Sequence, residues 1–260
     1  MPPPLHWQVE TFWTEELLGL MSEAGVDAAI LAPPAFFPEG NVMMPQEVAR
    51  YPDRLAAWGY FPVRDPASRE LIATWRKPPY MLGARFIFMT PETQLMWTDG
   101  SMDWLWGAAE QFHLPLGVYA YGHLDVIARA AEAHPALRLM VDHMALDLFS
   151  RGQAALVDLP ALLGLARFPN VGVKLSGLPA QSAEAYPYRD LHLPIRRVVD
   201  AFGPERCFWG SDLTRQPCDY RQSVTLFTEE LPWLAGAALE LVMGRAICKW
   251  AGWQPAGLHA

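Results

Sequence analysis

Cys207-Phe208-Trp209-Gly210-Ser211-Asp212 decides how the rest of the chain is read. It is a short, nearly continuous apolar run that ends on two small residues and a carboxylate. A strand buried on both faces has this composition, as in a parallel sheet covered by helices. Six other runs share it: Val26–Pro33, Leu55–Val63, Gly83–Phe88, Leu116–Tyr121, Leu137–His143 and Val171–Ser176. Between them lie amphipathic segments with helix signals. Thr14-Glu15-Glu16 predicts an N-cap followed by early acidic residues, with Gly25 ending that helix. Leu124–His134 and Leu156–Phe168 read as helices, each closed by a proline just beyond. Pro179–Pro194 is the longest predicted loop.

Strands alternating with helices imply right-handed βαβ units and a parallel sheet. A doubly wound open sheet would usually carry a glycine-rich phosphate fingerprint after its first strand. Here Val26–Leu31 is followed by Ala32-Pro33-Pro34-Ala35, which has no glycine. Seven such runs are one short of a closed barrel, so the reading is α/β, a (β/α)8 TIM barrel with one strand missing; the resemblance given below implies that it is the first. A single domain over residues 1–260 is expected, since such barrels occupy about 250 residues.

Composition narrows the partners. Hydrophobic residues make up 52% of the chain and charged residues 18%, and the net charge is −8. No basic run appears, which argues against nucleic acid, because phosphate contacts need clustered Lys and Arg. Cys207, Cys218 and Cys248 have no CxxC spacing, so they make neither a disulfide framework nor a zinc knuckle. The N-terminus does not resemble a signal peptide, and no apolar segment approaches the roughly 20 residues of a membrane span. A cytoplasmic protein without membrane or nucleic-acid partners, acting on a small molecule, is expected.

In a parallel barrel the C-terminal ends of the strands converge on one mouth, so polar residues ending an apolar run carry the most information. Asp212 could bind a metal or accept a proton from a nucleophilic water. His143, after Met140-Val141-Asp142, suits a ligand or acid/base role, or is a satisfied core imidazole. Arg85 lies inside an apolar run, where it either pairs with a structural carboxylate or awaits an anionic ligand. Lys174 and Ser176 share a strand, and Lys174 reads equally as an ion-pair partner inside the barrel. Of Tyr119 and Tyr121, one is expected to face the mouth and the other the helix layer. Arg189 and Arg215 fall in predicted loops as secondary anion-binding candidates. Trp97, Trp104, Trp106, Tyr186 and Tyr188 suggest a planar or cyclic ligand, or simply loop packing. His6, His134 and His259 lack such a setting.

Taken together, several segments resemble the amidohydrolase superfamily, in the amidohydrolase-related branch of pyrone-dicarboxylate and sugar-acid lactonases and aminocarboxymuconate-semialdehyde decarboxylases. They are Gly83-Ala84-Arg85-Phe86, His134-Pro135 with Val141-Asp142-His143, Phe168-Pro169-Asn170-Val171 with Val173-Lys174-Leu175-Ser176-Gly177, Phe202-Gly203-Pro204-Glu205-Arg206 with Gly210-Ser211-Asp212, and Met243-Gly244-Arg245-Ala246. The resemblance runs from about Glu15 to Trp253. It places His143 at the family's sixth-strand histidine and Asp212 at its eighth-strand aspartate, which makes both residues candidate ligands of a divalent metal such as zinc. Where many members carry a fifth-strand histidine, this chain offers Tyr121 or Tyr119, as do lactonase members that work without a tightly held metal. Arg85 matches an arginine that in the lactonases grips a substrate carboxylate.

The family's first strand carries a His-x-His pair, and this chain has none. Leu5–Glu10 alternates polar and apolar residues and is a candidate substitute strand. The expectation is a chain that starts late relative to its relatives, through a misplaced start codon or a shortened reading frame. It would leave the edges of Val26–Leu31 and Cys207–Asp212 open to pairing with another chain, which points to a homodimer.

The function implied is hydrolysis of a small carboxylated, cyclic substrate of the lactone type. Asp212 acts as general base, His143 polarises the carbonyl or helps hold a metal, Arg85 anchors the carboxylate, and Tyr121, Lys174, Ser176 and Arg215 contact substrate. A metal-dependent non-oxidative decarboxylase and an impaired barrel without catalysis are the alternatives.

Overall fold

The computed structural model describes residues 12–34, 39–76 and 81–256, with the side chain of residue 92 left aside. The candidate strand Leu5–Glu10 lies outside the described residues. The strands are β1 (Ala29–Leu31), β2 (Leu55–Tyr60), β3 (Met81–Ile87), β4 (Leu116–Tyr119), β5 (Leu139–Val141), β6 (Val171–Ser176) and β7 (Cys207–Gly210). The longer helices are α1 (Thr14–Ala24), α2 (Gly40–Arg50), α3 (Asp103–Gln111), α4 (Leu124–Ala133), α5 (Leu159–Gly164), α6 (Arg189–Phe202), α7 (Tyr220–Thr228) and α8 (Ala246–Ala251). Seven strands separated by helices and succeeding one another in chain order are the α/β-barrel class short of one strand. Every predicted apolar run overlaps one of these strands, and β3 begins two residues before its run, at Met81.

By internal contacts the chain divides into two compact units. One comprises Met1–Asp27, Asp142–Arg167 and Gly172–Ile247; the other comprises Ala28–Val141, Phe168–Val171 and Cys248–Ala260.

In the second of these, β1 to β5 pair in sequence and all in parallel, with Ala29 opposite Leu55, Ala84 opposite Leu116 and Leu116 opposite Leu139. β2, β3, β4 and β5 are buried along nearly their whole length, as a sheet covered on both faces requires. α4 buries Leu124, Val126, Ile127, Ala130 and Ala131 on one stripe. Asn170 closes this unit: its amide nitrogen meets the carbonyls of Ala131 (3.1 Å), His134 (2.9 Å) and Leu137 (3.0 Å), at the end of α4 and just after it.

In the other unit β6 pairs with β7 in parallel, Val173 opposite Cys207 and Ser176 opposite Gly210. α6 buries Leu191, Pro194, Ile195, Val198, Val199 and Phe202. That is the i, i+3, i+4, i+7 spacing of a helix with one apolar face. α6 packs against α5, and α1 against α7.

Three local expectations change. The N-cap of α1 is Trp13 without a side-chain hydrogen bond, and Thr14 is the first helical residue; Gly25 does end the helix in the left-handed conformation. The predicted loop Pro179–Pro194 is shorter, because α6 starts at Arg189 and carries Pro194 within it. The Asp190 carboxylate draws the preceding turn in, accepting from the Ala183 amide at 2.8 Å, so Arg189 is a first-turn helical residue rather than a loop residue. Leu156–Phe168 becomes α5 with short 3-10 turns before and after it.

Among the described residues β1 pairs with β2 alone and β7 with β6 alone. No helix among them is long and apolar enough to cross a membrane.

Candidate active site

After β5 the chain turns sharply through Asp142–Ala145. His143, Met144 and Ala145 all have positive φ, at 54°, 54° and 51°, and Leu146 donates its amide to the His143 carbonyl at 3.0 Å. Each left-handed non-glycine residue costs about 1–2 kcal/mol. Met144, Ala145 and Leu146 are almost fully buried, and burying a Met or Leu side chain stabilises by about 1.5–3 kcal/mol. The apolar part of the turn thus offsets the strain that aims the His143 ring.

The ring meets the end of β6. His143 Nδ1 lies 2.9 Å from Ser176 Oγ and 3.3 Å from the Ser176 carbonyl oxygen. A carbonyl only accepts, so in the neutral imidazole the satisfied tautomer carries its proton on Nδ1 and the ring's lone pair on Nε2. On the same side, Asp212 Oδ2 is 3.7 Å from His143 Nδ1.

Asp212 follows β7 and is itself left-handed, with φ 55° and ψ 49°. Its position is fixed through Ser211, whose carbonyl accepts from the Gly177 amide at 3.2 Å and from the Gln216 side chain. Burial pushes the Tyr220 hydroxyl pKa up, and a hydrogen bond with Ser211 partly offsets it. Trp209 stacks on the Tyr220 ring, with centroids 6.3 Å apart.

Two glycines make room for the cluster. A Cβ on Gly210 would sit 3.1 Å from Ser176 Cβ and 3.2 Å from Lys174 Cε. Gly177 has φ 67°, and a Cβ there would lie 2.9 Å from Asp212 Oδ2 and 3.2 Å from Arg215 Nη1.

Arg215 is buried in a 3-10 turn directly after Asp212, and its Nη1 donates to Asp212 Oδ2 at 3.0 Å. Gln181 is also buried. In the amide orientation that satisfies both its ends, Gln181 accepts from Arg215 Nη2 at 3.0 Å and donates to the Gly177 carbonyl at 2.9 Å.

The structure therefore brings together His143, Ser176, Asp212 and Arg215 of the expected residues. Lys174 lies on the same face of β6 as Ser176, two residues before it, and runs past Gly210. Arg215, expected as a loop candidate for anion and substrate binding, has its guanidinium on Asp212 and Gln181. Gln181 was missed, since its segment reads as loop and no pattern marks it. Arg85 and Tyr121 belong to the other unit. Arg85 is buried within β3, opposite Gly117 of β4, and its Nη1 donates to the Pro33 carbonyl at 3.4 Å.

A metal would draw on His143 and Asp212. Among the described residues no group of three His, Cys, Asp or Glu side chains converges, and a guanidinium already neutralises the Asp212 carboxylate. The described donor set does not fit a resident metal.

A family model described as amidohydrolase matches residues 2–259. The chain belongs to the amidohydrolase family. An L-fucono-1,5-lactonase of Burkholderia ambifaria is 39% identical to this amidohydrolase over 93 residues, covering 35% of this chain and 31% of that relative's length. Among solved structures, an amidohydrolase from Burkholderia multivorans with bound zinc superposes with a TM-score of 0.80 at 20% identity, covering 94% of this chain and 89% of that one. A probable 2-pyrone-4,6-dicarboxylic acid hydrolase from Acinetobacter baumannii, with citric acid bound, gives a TM-score of 0.72 at 15% identity over 92% of this chain and 88% of that one. These structural likenesses concern the fold. They agree with a barrel amidohydrolase short of one strand.

Proposed function

We propose that this amidohydrolase hydrolyses the cyclic ester of a small lactone, with Asp212 as general base. The observation that carries the reading is the setting of Asp212. Its side chain is 16% exposed, whereas those of His143 and Arg215 beside it are each 3% exposed. The Asp212 side chain is thus more exposed than either of these two partners in a buried polar cluster. The relative named as an L-fucono-1,5-lactonase supports a lactone as the substrate class.

In this mechanism Asp212 takes a proton from a water molecule as the water oxygen attacks the lactone carbonyl carbon. His143, once protonated at Nε2, donates from that atom to the carbonyl oxygen, where negative charge develops. The ring C–O bond then breaks, and its oxygen leaves with the proton held by Asp212, giving a hydroxy acid. Water is consumed and no other co-reactant is needed. We further propose that Arg85 grips a substrate carboxylate through its guanidinium fork.

The test is base-consumption titration with L-fucono-1,5-lactone and with 2-pyrone-4,6-dicarboxylate, a neutral and a dicarboxylated lactone. Turnover of at least one is expected, and Asp212→Asn should lower kcat by about 10³ while the protein stays folded, in line with the effect of general base catalysis. Retention of more than about a tenth of the activity would remove Asp212 from this role. Arg85→Met should raise KM for the dicarboxylated lactone by about ten-fold or more with little change in kcat, as expected for uniform binding.

A further inference from the structure

Arg215 sits where an unpaired guanidinium would be costly, since it is buried in the turn after β7. Its surroundings show what it is used for. Nη1 donates to Asp212 Oδ2 at 3.0 Å, and the Arg215 backbone amide donates to the Asp212 carbonyl at 2.9 Å. Arg215 therefore grips the residue three positions before it by both main chain and side chain. Nη2 donates to Gln181, and Gln181 in turn donates to the Gly177 carbonyl at 2.9 Å. Gly177 is also the residue whose missing Cβ leaves room for Asp212 Oδ2 and Arg215 Nη1. The contacts close a loop: Gly177 carries Gln181, Gln181 braces Arg215, Arg215 holds Asp212, and Asp212 rests over Gly177.

We infer that Arg215 is a positioning residue, the built-in counter-charge that fixes the orientation of the Asp212 carboxylate, with Gln181 as its brace. This role rests on the reading of Asp212 as the base. The terminal torsion of a carboxylate is broad and roughly two-fold, so without a partner its oxygens exchange places and its angle to an attacking water varies. A planar guanidinium that meets Asp212 with one nitrogen and Gln181 with another removes that freedom. Misplacing a reacting group by about 1 Å can cost on the order of 100-fold in rate. A lysine would restore the charge but could not span both partners with one rigid plane.

The test compares Arg215→Ala, Arg215→Lys, Gln181→Leu, Asp212→Asn and the double variant Asp212→Asn/Arg215→Ala on whichever lactone the wild type turns over. Arg215→Ala should lose about 100-fold in kcat, with KM within about three-fold of wild type. Millimolar methylguanidinium chloride, but not equal sodium chloride, should restore at least about ten-fold of the loss. It should also raise the melting temperature of Arg215→Ala, but not that of the double variant, which has no anion to pair with it. Arg215→Lys and Gln181→Leu should fall between Arg215→Ala and wild type. In the Asp212→Asn background, removing Arg215 should cost little more.

Unchanged kcat in Arg215→Ala overturns the inference. So does a loss that methylguanidinium leaves untouched while the variant remains folded by near-UV circular dichroism, and so does a loss that follows a drop in folded protein. An Asp212→Asn variant that stays active removes the underlying reading instead, and the same assay distinguishes the two failures.

Discussion

Asn170 and Asp212 are both polar residues set against the end of a buried strand, and they find their partners in different ways. Asn170, in the unit of β1 to β5, gives its amide to three main-chain carbonyls between Ala131 and Leu137. The chain around it has ordinary backbone geometry. Asp212, in the other unit, is held left-handed and meets the side chains of Arg215 and His143. The first arrangement satisfies carbonyls that helix geometry leaves over and joins two elements. In the second, polar and charged side chains answer one another on left-handed backbone, which suits the base role proposed for Asp212. Glu110 belongs with Asn170: its carboxylate accepts from the Ala136 amide at 2.8 Å and pairs with His134 at 3.1 Å. The Ala136 amide, then His134, hold its pKa below the usual carboxylate range. The difference makes a prediction about substitutions: changes around Asp212 should register first in rate, and changes around Asn170 first in stability.

Gly177→Ala is the sharpest way to break the comparison. Its new Cβ would fall 2.9 Å from Asp212 Oδ2, and φ 67° is strained for alanine. The backbone penalty is about 1–2 kcal/mol, a modest loss of stability. The displacement of Asp212 should cost about 100-fold in kcat/KM, because a small misplacement of a reacting group is expensive in rate. Steady-state kinetics beside a thermal melt would check this. A variant that melts several degrees lower but keeps its rate would show that Gly177 is framework, like Asn170.

Much of the contrast can be followed in the sequence, though not all of it. The strands were legible because burial on both faces selects continuous apolar runs, and Val171–Ser176 matches its strand end for end. Strand ends were less legible. Leu137–His143 reads as one run, yet β5 stops at Val141 because His143, Met144 and Ala145 adopt a left-handed turn that apolar composition does not announce. Asp212, His143 and Ser176 could be found by position, since each ends a buried run with a polar group. Arg215 could be found as a loop cation, but its contact with the carboxylate three residues earlier could not, because only three-dimensional packing sets it. Gln181 left no trace, because an amide brace needs neither periodicity nor a motif.

Asn170→Leu tests the framework half. Removing the donor leaves buried carbonyls without it, at about 1–3 kcal/mol. In a chain of this size about 1 kcal/mol shifts the melting temperature by about 2–4 °C, so a fall of roughly 3–10 °C is expected. Because the Asn170 side chain serves main-chain carbonyls of Ala131, His134 and Leu137, kcat for the folded enzyme should stay within about two-fold of wild type. A drop in kcat comparable with that of Gly177→Ala, at a temperature well below the melt, would erase the distinction between the two regions.

Ala145→Gly should give the smallest effect, and three terms, one favourable and two unfavourable, decide its sign. Ala145 is held at φ 51°, and relief of a left-handed alanine is worth about 1–2 kcal/mol. Glycine gives back part of that gain, about 0.5–1 kcal/mol, through the greater freedom of the unfolded chain. The Ala145 methyl is also fully buried, and losing it costs about 0.8 kcal/mol at most. The terms nearly cancel, so the melting temperature should move by no more than about 2–3 °C in either direction. Rate should respond differently. If the strained turn serves to aim the His143 ring at Ser176 and Asp212, relaxing it should lower kcat by a few-fold even where stability is unchanged, an effect the Asn170 region has no means of producing. Equal rates for Ala145→Gly and wild type would assign the left-handed turn to packing of Met144 and Leu146 rather than to the orientation of His143.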